Sequence, residues 1–232
     1  MGATTSQAAT AIAVMLLGYG VLSIGLSLWL KMPVSIVWST PGAAFLATSG
    51  GLGLSFNLAV GAFIVSSLLV VVTGAWPALG ELVGRIPIQI SAAMLAGVIF
   101  PFVVATVRSA VEYPVLIMPA VLIWLILNRF LPLWASPASI IAGFVLIARS
   151  DAVTQFEVMS FWPDFEIVSP VFDLATIFAI GVPLYLITMA SQNLPGLAIM
   201  GSLGYRLHAS KVFIATGLGS AVTGLFGGFG LN

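Results

Sequence analysis

The chain has 232 residues, of which 60% are hydrophobic and only 6% charged, with zero formal net charge and a mean hydropathy of +1.19. A soluble domain carries about a quarter charged residues, and so apolar a chain has too little polar surface to cover a water-soluble core; the balanced charge also argues against a nucleic-acid partner. The absence of cysteine excludes thiolate metal sites, iron–sulfur clusters and disulfides.

The apolar segments run on for about 20 residues instead of alternating over about 10, which predicts membrane-spanning helices and not a barrel. The first span covers about Thr10–Leu30 and stops at Lys31. Pro33–Ser49 (PVSIVWSTPGAAFLATS) is broken. Val34–Trp38 is β-branched and extended in character, and Pro41 disfavours helix at Thr40. Ser39 or Thr40 can cap, Pro41 suits a first turn, and Gly42-Ala43-Ala44 allows close packing. A short helix therefore begins near Pro41 at membrane depth, and its N-terminus is an anion site.

Further spans follow at Asn57–Trp76, Ile88–Val107, Pro114–Leu127 and Ser136–Ala148. Asp151–Phe172 is polar, aromatic and proline-bearing; it reads as an external linker on the membrane surface, with Phe161 and Trp162 at the interface. The span Asp173–Asn193 closes on TMASQNLPG, where it is expected to end at Ser191-Gln192-Asn193 and break at Leu194-Pro195-Gly196. Polar groups are expensive at that depth, so the cluster either joins helices by hydrogen bonds or faces a polar solute. After Val212–Leu225, the glycine-rich Phe226–Asn232 repeats the grammar of Pro33–Ser49, with Asn232 expected to open a second half-helix. Two discontinuous helices with facing N-termini point to a transporter site. Packing alone is the competing explanation for each small-residue stretch.

If every stretch crosses once, Lys31, Arg85, Arg129, Arg206 and Lys211 share one side, and Arg108 and Arg149 the other. The first side, with five of the seven basic residues, is cytoplasmic by the positive-inside rule. The opposite side collects Glu112, Asp151, Glu157, Asp164, Glu166 and Asp173. This topology puts residue 1 outside, and the C-terminal end is a glycine-rich stretch, so the chain is expected to be a fragment with helices missing at both ends. The single histidine, His208, falls in a polar turn, and the acids are scattered, which gives no enzyme constellation and calls for no metal or cofactor.

The stretches MPVSIVWSTPGAAFLA, VGAFIV, RIPIQISAAMLAGVIFPF, VPLYLITMASQNLPGLAIM and FGGFGLN resemble the benzoate/proton symporter family (BenE type), which has the nucleobase-transporter (uracil-permease-like) fold. The resemblance implies an all-α polytopic membrane protein built as a 7+7 inverted repeat, with core and gate domains and two half-strand/half-helix segments. Residues 1–80 and 173–232 would belong to the core, 81–150 to the gate, and 151–172 to the linker. An aromatic carboxylate, benzoate, would lie between the half-helix ends, at Ser39, Thr40, Pro41 and Gly42 and at Gly228–Asn232. Ser191, Gln192 and Asn193 would donate hydrogen bonds to it, and Trp38 and Phe229 would line the ring. Implied partners are benzoate, protons and the lipid bilayer of the bacterial inner membrane; a homodimer through the gate follows from the fold alone. Nucleobase relatives carry a glutamate near the position of Ser191. The neutral residue here suits an anion and disfavours a nucleobase carrier, the runner-up together with an inorganic-anion carrier. A non-transporting scaffold or inactive fragment is the alternative of another class.

Overall fold

The computed structural model describes residues 2–76, 78–79, 88–149, 165–205 and 208–232. Expectations for Glu81, Arg85, Asp151, Glu157, Phe161, Trp162, Asp164 and Arg206 lie outside these residues. The chain divides into two compact units, Met1–Ile99 with Trp162–Asn232, and Phe100–Phe161.

The first unit contains α1 (Thr5–Leu30), α2 (Thr40–Thr48), α3 (Phe56–Ala75), α7 (Leu174–Ser202) and α8 (Ala209–Gly224). Among the described residues, α1, α3 and α7 are long and apolar enough to cross a membrane. A capping box between Thr4 and Gln7 starts α1. Helices α3 and α8 meet through small residues. A Cβ at Gly217 would stand 2.9 Å from the Ser67 carbonyl oxygen, and one at Gly74 equally close to that of Ser210. Backbones packed so tightly gain van der Waals contact that apolar lipid does not offer in competition.

Helix α7 departs from the expected break. It continues through Leu194-Pro195-Gly196 to Ser202, and it contains two π turns, Ile177–Gly181 and Met189–Asn193. Within the stretch expected to be a surface linker, residues 165–172 form a strap tied onto the bundle. Val168 N–H donates to the Leu225 carbonyl (2.8 Å), Val171 N–H to that of Asn57 (3.0 Å), and Asn57 Nδ2 to that of Ser169 (2.8 Å). Val168 is buried in the core, and Gly61 lies so close to the Val171 carbonyl that any Cβ there would overlap it. Asp173 then caps α7 by accepting from the Thr176 N–H and hydroxyl, which hold its carboxyl below the usual carboxylate range.

The same end of this unit carries Glu166, which accepts from Gln7. At the other end, Lys211 Nζ sits 5.3 Å from the Trp29 ring, two residues before Lys31. Glu166 and Asp173 therefore stand at the end of this unit opposite Lys31 and Lys211.

The second unit holds the C-terminal part of α4 (Ile88–Glu112), α5 (Pro114–Phe130) and α6 (Pro132–Ala148). Prolines in the first turns of α5 and α6 need no intrahelical N–H partner. Helices α5 and α6 pack on each other across the single residue Leu131, with Ser139 Oγ donating to the Ala120 carbonyl at 2.8 Å. Helix α4 continues beyond the expected Val107 to Glu112, because a helix does not stop where its apolar stretch stops.

Candidate functional site

Two extended arms cross at the centre of the first unit. The first arm, residues 33–39, follows α1; the second, residues 228–232, follows α8. They pair antiparallel about Trp38 and Leu231. Val37 N–H donates to the Asn232 carbonyl (2.9 Å), Asn232 N–H to that of Val37 (2.8 Å), and Ser39 N–H to that of Gly230 (3.1 Å). Val34–Trp38 is thus extended, as its β-branching predicts. Gly228–Asn232 reaches the first arm through Gly230, whose φ of +35° glycine tolerates, and pairs at Leu231–Asn232; a half-helix opening at Asn232 would follow the described residues.

Each arm is tied to its own helix by serine. Ser27 Oγ bonds both the N–H and the carbonyl of Val34 (3.0 Å each), and Ser23 Oγ those of Ile36 (2.9 and 3.3 Å). Ser220 Oγ serves Leu231 in the same way (2.8 and 3.4 Å). These serines satisfy arm backbone groups that, among the described residues, pair with neither a helix nor the other arm. They were not singled out in the sequence, where the only available signal was a pair of serines four apart on an apolar helix.

Helix α2 starts where the first arm ends. Ser39 is its N-cap and is fully buried; its Oγ accepts from the Gly42 N–H at 3.0 Å and from the Thr188 hydroxyl at 3.2 Å. Ala43 N–H donates to the Ser39 carbonyl at 2.7 Å. Pro41 has no N–H to satisfy. Gly42 faces α7, since a Cβ there would come within 2.9 Å of Leu184 Cδ1. Its small size therefore serves helix packing first. Most of the first-turn donors are already taken.

The remaining donor, the Thr40 N–H, meets α7. With both carboxamides turned so that each oxygen faces a donor, Gln192 accepts from Thr40 N–H (3.3 Å) and donates to the Trp38 carbonyl and the Asn232 carboxamide oxygen (3.2 Å each). The Asn232 oxygen also accepts from the Ser39 N–H (3.1 Å). Gln192 thus binds both arms and the start of α2. Its neighbours do not. Ser191 Oγ donates back to the Ile187 carbonyl, and the buried Asn193 donates to Met189 Sδ at 3.1 Å.

A cavity of about 440 Å³ opens beside Gln192. Its walls are Pro33–Val37 of the first arm, Pro195, Gly196, Leu197 and Met200 of α7, and Val212 and Phe213 of α8; Ser191, Gln192, Asn193 and Asn232 supply polar groups. No charged side chain lines it among the described residues. Of the other expected site residues, Trp38 and Thr40 are exposed and lie at the crossing without lining the cavity. Phe229 tilts against Phe63 with ring centroids 6.0 Å apart, as part of the core. Gly228 is buried where a Cβ would come within 2.9 Å of Met15, so it permits packing on α1.

Comparison with known proteins bears on this site. The chain is 38% identical over 228 residues to the inner membrane protein YdcO of Escherichia coli, covering 97% of this chain and 58% of that protein. It is 30% identical over 216 residues to the benzoate membrane transport protein of Acinetobacter baylyi, covering 91% of this chain and 54% of that protein. The chain therefore spans about half the length of these relatives. No solved structure matches it. A family model described as benzoate membrane transport protein matches residues 1–232. With its whole length covered by that match, this chain belongs to the benzoate membrane transport (BenE) family.

Proposed function

We propose that the protein carrying this chain is a secondary active transporter that imports benzoate, an aromatic carboxylate, across the bacterial cytoplasmic membrane in symport with protons. The observation that carries the reading is the convergence of two crossed arms, the α2 N-terminus and Gln192 beside an apolar cavity, in a chain matched end to end by a benzoate transport family. The α2 terminus favours negative charge. Its Thr40 N–H is held by a side chain, which can swing aside, whereas Gly42 and Ala43 are held by the N-cap residue. A carboxylate can take the place of the Gln192 oxygen there. The cavity has room for an aromatic ring, since about 150 Å³ accommodates benzene. A site without fixed acids does not repel an anion.

The helix-and-arm unit occurs twice, as α1 with the first arm and α8 with the second, and the two arms run antiparallel. This local pairing supports an inverted repeat with core residues 1–80 and 173–232 and gate residues 81–150. The core would rock against the gate to alternate access, and a homodimer would form through the gate. Proton coupling would use the substrate's own carboxyl or a group outside the described residues.

The test is uptake of radiolabelled benzoate by proteoliposomes containing the full-length protein, with and without an inward proton gradient. Gradient-driven uptake, inhibited by substituted benzoates and not by uracil, is the expected outcome. Inhibition by uracil with no response to benzoates would overturn the reading.

A further inference from the structure

Helix α1 carries a ladder of hydroxyl groups along the first arm. Ser27 serves Val34 and Ser23 serves Ile36. Each step goes four residues back along the helix and two forward along the arm, because those rises, about 6 Å and 6.6 Å, nearly match. Carried one step further, this register sets Tyr19 level with Trp38, the residue bridged to Leu231. Across the bridge, Ser220 of α8 holds the Leu231 N–H at 2.8 Å.

Tyr19 does not do the same work. Its hydroxyl is buried and has no hydrogen-bond partner among the described residues, and neither does the Trp38 N–H. The ring packs with the cluster of Met15, Ile36 and Leu231. Adjacent α1 positions touch the second arm, since Gly18 faces Leu231 and Met15 faces Gly228. Position 19 thus lies where α1 meets both arms. Helical side chains lean toward the helix N-terminus, which carries the hydroxyl from the Trp38 step toward Ser39 and Thr40, the start of α2.

A buried hydroxyl without a partner costs free energy, and phenylalanine would pack there without that cost. A polar solute at the crossing would meet the hydroxyl. We propose that Tyr19 donates a hydrogen bond to the carboxylate of the transported aromatic acid when it occupies the arm crossing, which makes Tyr19 a specificity-determining residue of the carrier. The inference rests on the transport reading above.

The experiment compares full-length wild type and Tyr19→Phe in proteoliposomes, with the benzoate-induced shift in melting temperature of the purified proteins as a second readout. The expected result is a roughly tenfold or larger rise in KM for benzoate, as for a lost hydrogen bond to a charged group. The benzoate-induced shift should shrink, while the melting temperature without benzoate stays the same or rises. An unchanged KM and an unchanged shift would overturn the proposal, because the hydroxyl would then serve the protein alone. Wild-type protein that neither transports nor is stabilised by benzoate would overturn the transport reading itself, an outcome distinguishable without the variant.

Discussion

Ser191, Gln192 and Asn193 are consecutive, but helical geometry sends neighbouring side chains about 100° apart. One faces the arms, one returns to its own helix and one turns to Met189. The sequence exposed the cluster, because three polar residues ending a long apolar run demand an explanation. It could not say which of them reaches across, because that depends on the turn geometry beneath them. Ser23, Ser27 and Ser220 were invisible for a related reason: serine is common in membrane helices and usually bonds its own backbone. The network yields an ordering. Gln192→Ala in the full-length protein should raise KM for benzoate about tenfold, since it releases the contacts to Trp38 and Asn232 that hold the two arms beside the cavity, a loss on the order of 1–2 kcal/mol. Asn193→Ala should change KM less and act mainly on thermal stability. Uptake kinetics of the two variants side by side check this, and the reverse order would remove Gln192 from the centre of the site.

At the scale of elements, α7 shows how a proline can follow a polar cluster without ending the helix. Each π turn is followed two residues later by a proline, Pro183 and Pro195. A proline lacks the N–H and crowds the carbonyl four residues back. The widened turn before it, closed by Val182 N–H to Ile177 and by Leu194 N–H to Met189, relieves that crowding. Sequence reasoning took Leu194-Pro195-Gly196 for a stop because hydrophobic periodicity does not register a single π turn. The first arm and α2 were legible, since β-branching, the Ser39 cap and Pro41 are local signals. The pairing of the second arm was not legible, because glycines restrict the backbone least; its partner on the first arm sets the conformation. Pro195→Ala should let the second π turn tighten by restoring an N–H to that turn. Gln192 would then rotate away from Thr40. The expected outcome is a several-fold rise in KM with normal insertion in the membrane, measured by uptake and by protein abundance in membrane fractions. Unchanged KM would mean that the proline does not set the position of Gln192.

At the scale of the molecule, the first unit carries acids at one end and lysines at the other, and labelling from either side of the membrane tests the sidedness expected from Lys and Arg. Glu166 meets Gln7 near the start of α1, and Asp173 caps α7 where the strap reaches Asn57. Lys211 stacks over Trp29 at the far end of α1. The basic end faces the cytoplasm if the positive-inside rule governs the chain, and substrate released toward that end would pass the cavity wall formed by Leu197 and Met200 on α7. The chain contains no cysteine, so a single one introduced here is unambiguous within it. With any cysteines elsewhere in the full-length protein replaced, Glu166→Cys should react with a membrane-impermeant maleimide in intact cells. Lys211→Cys should react only after the membrane is opened. Glu166 is exposed and bonded only weakly, at 3.3 Å, so its replacement leaves the fold intact. Labelling of Lys211→Cys from outside would invert the topology. The cavity would then lie on the entry side of the crossed arms, and import would require the substrate to leave past the strap at Val168 and Val171.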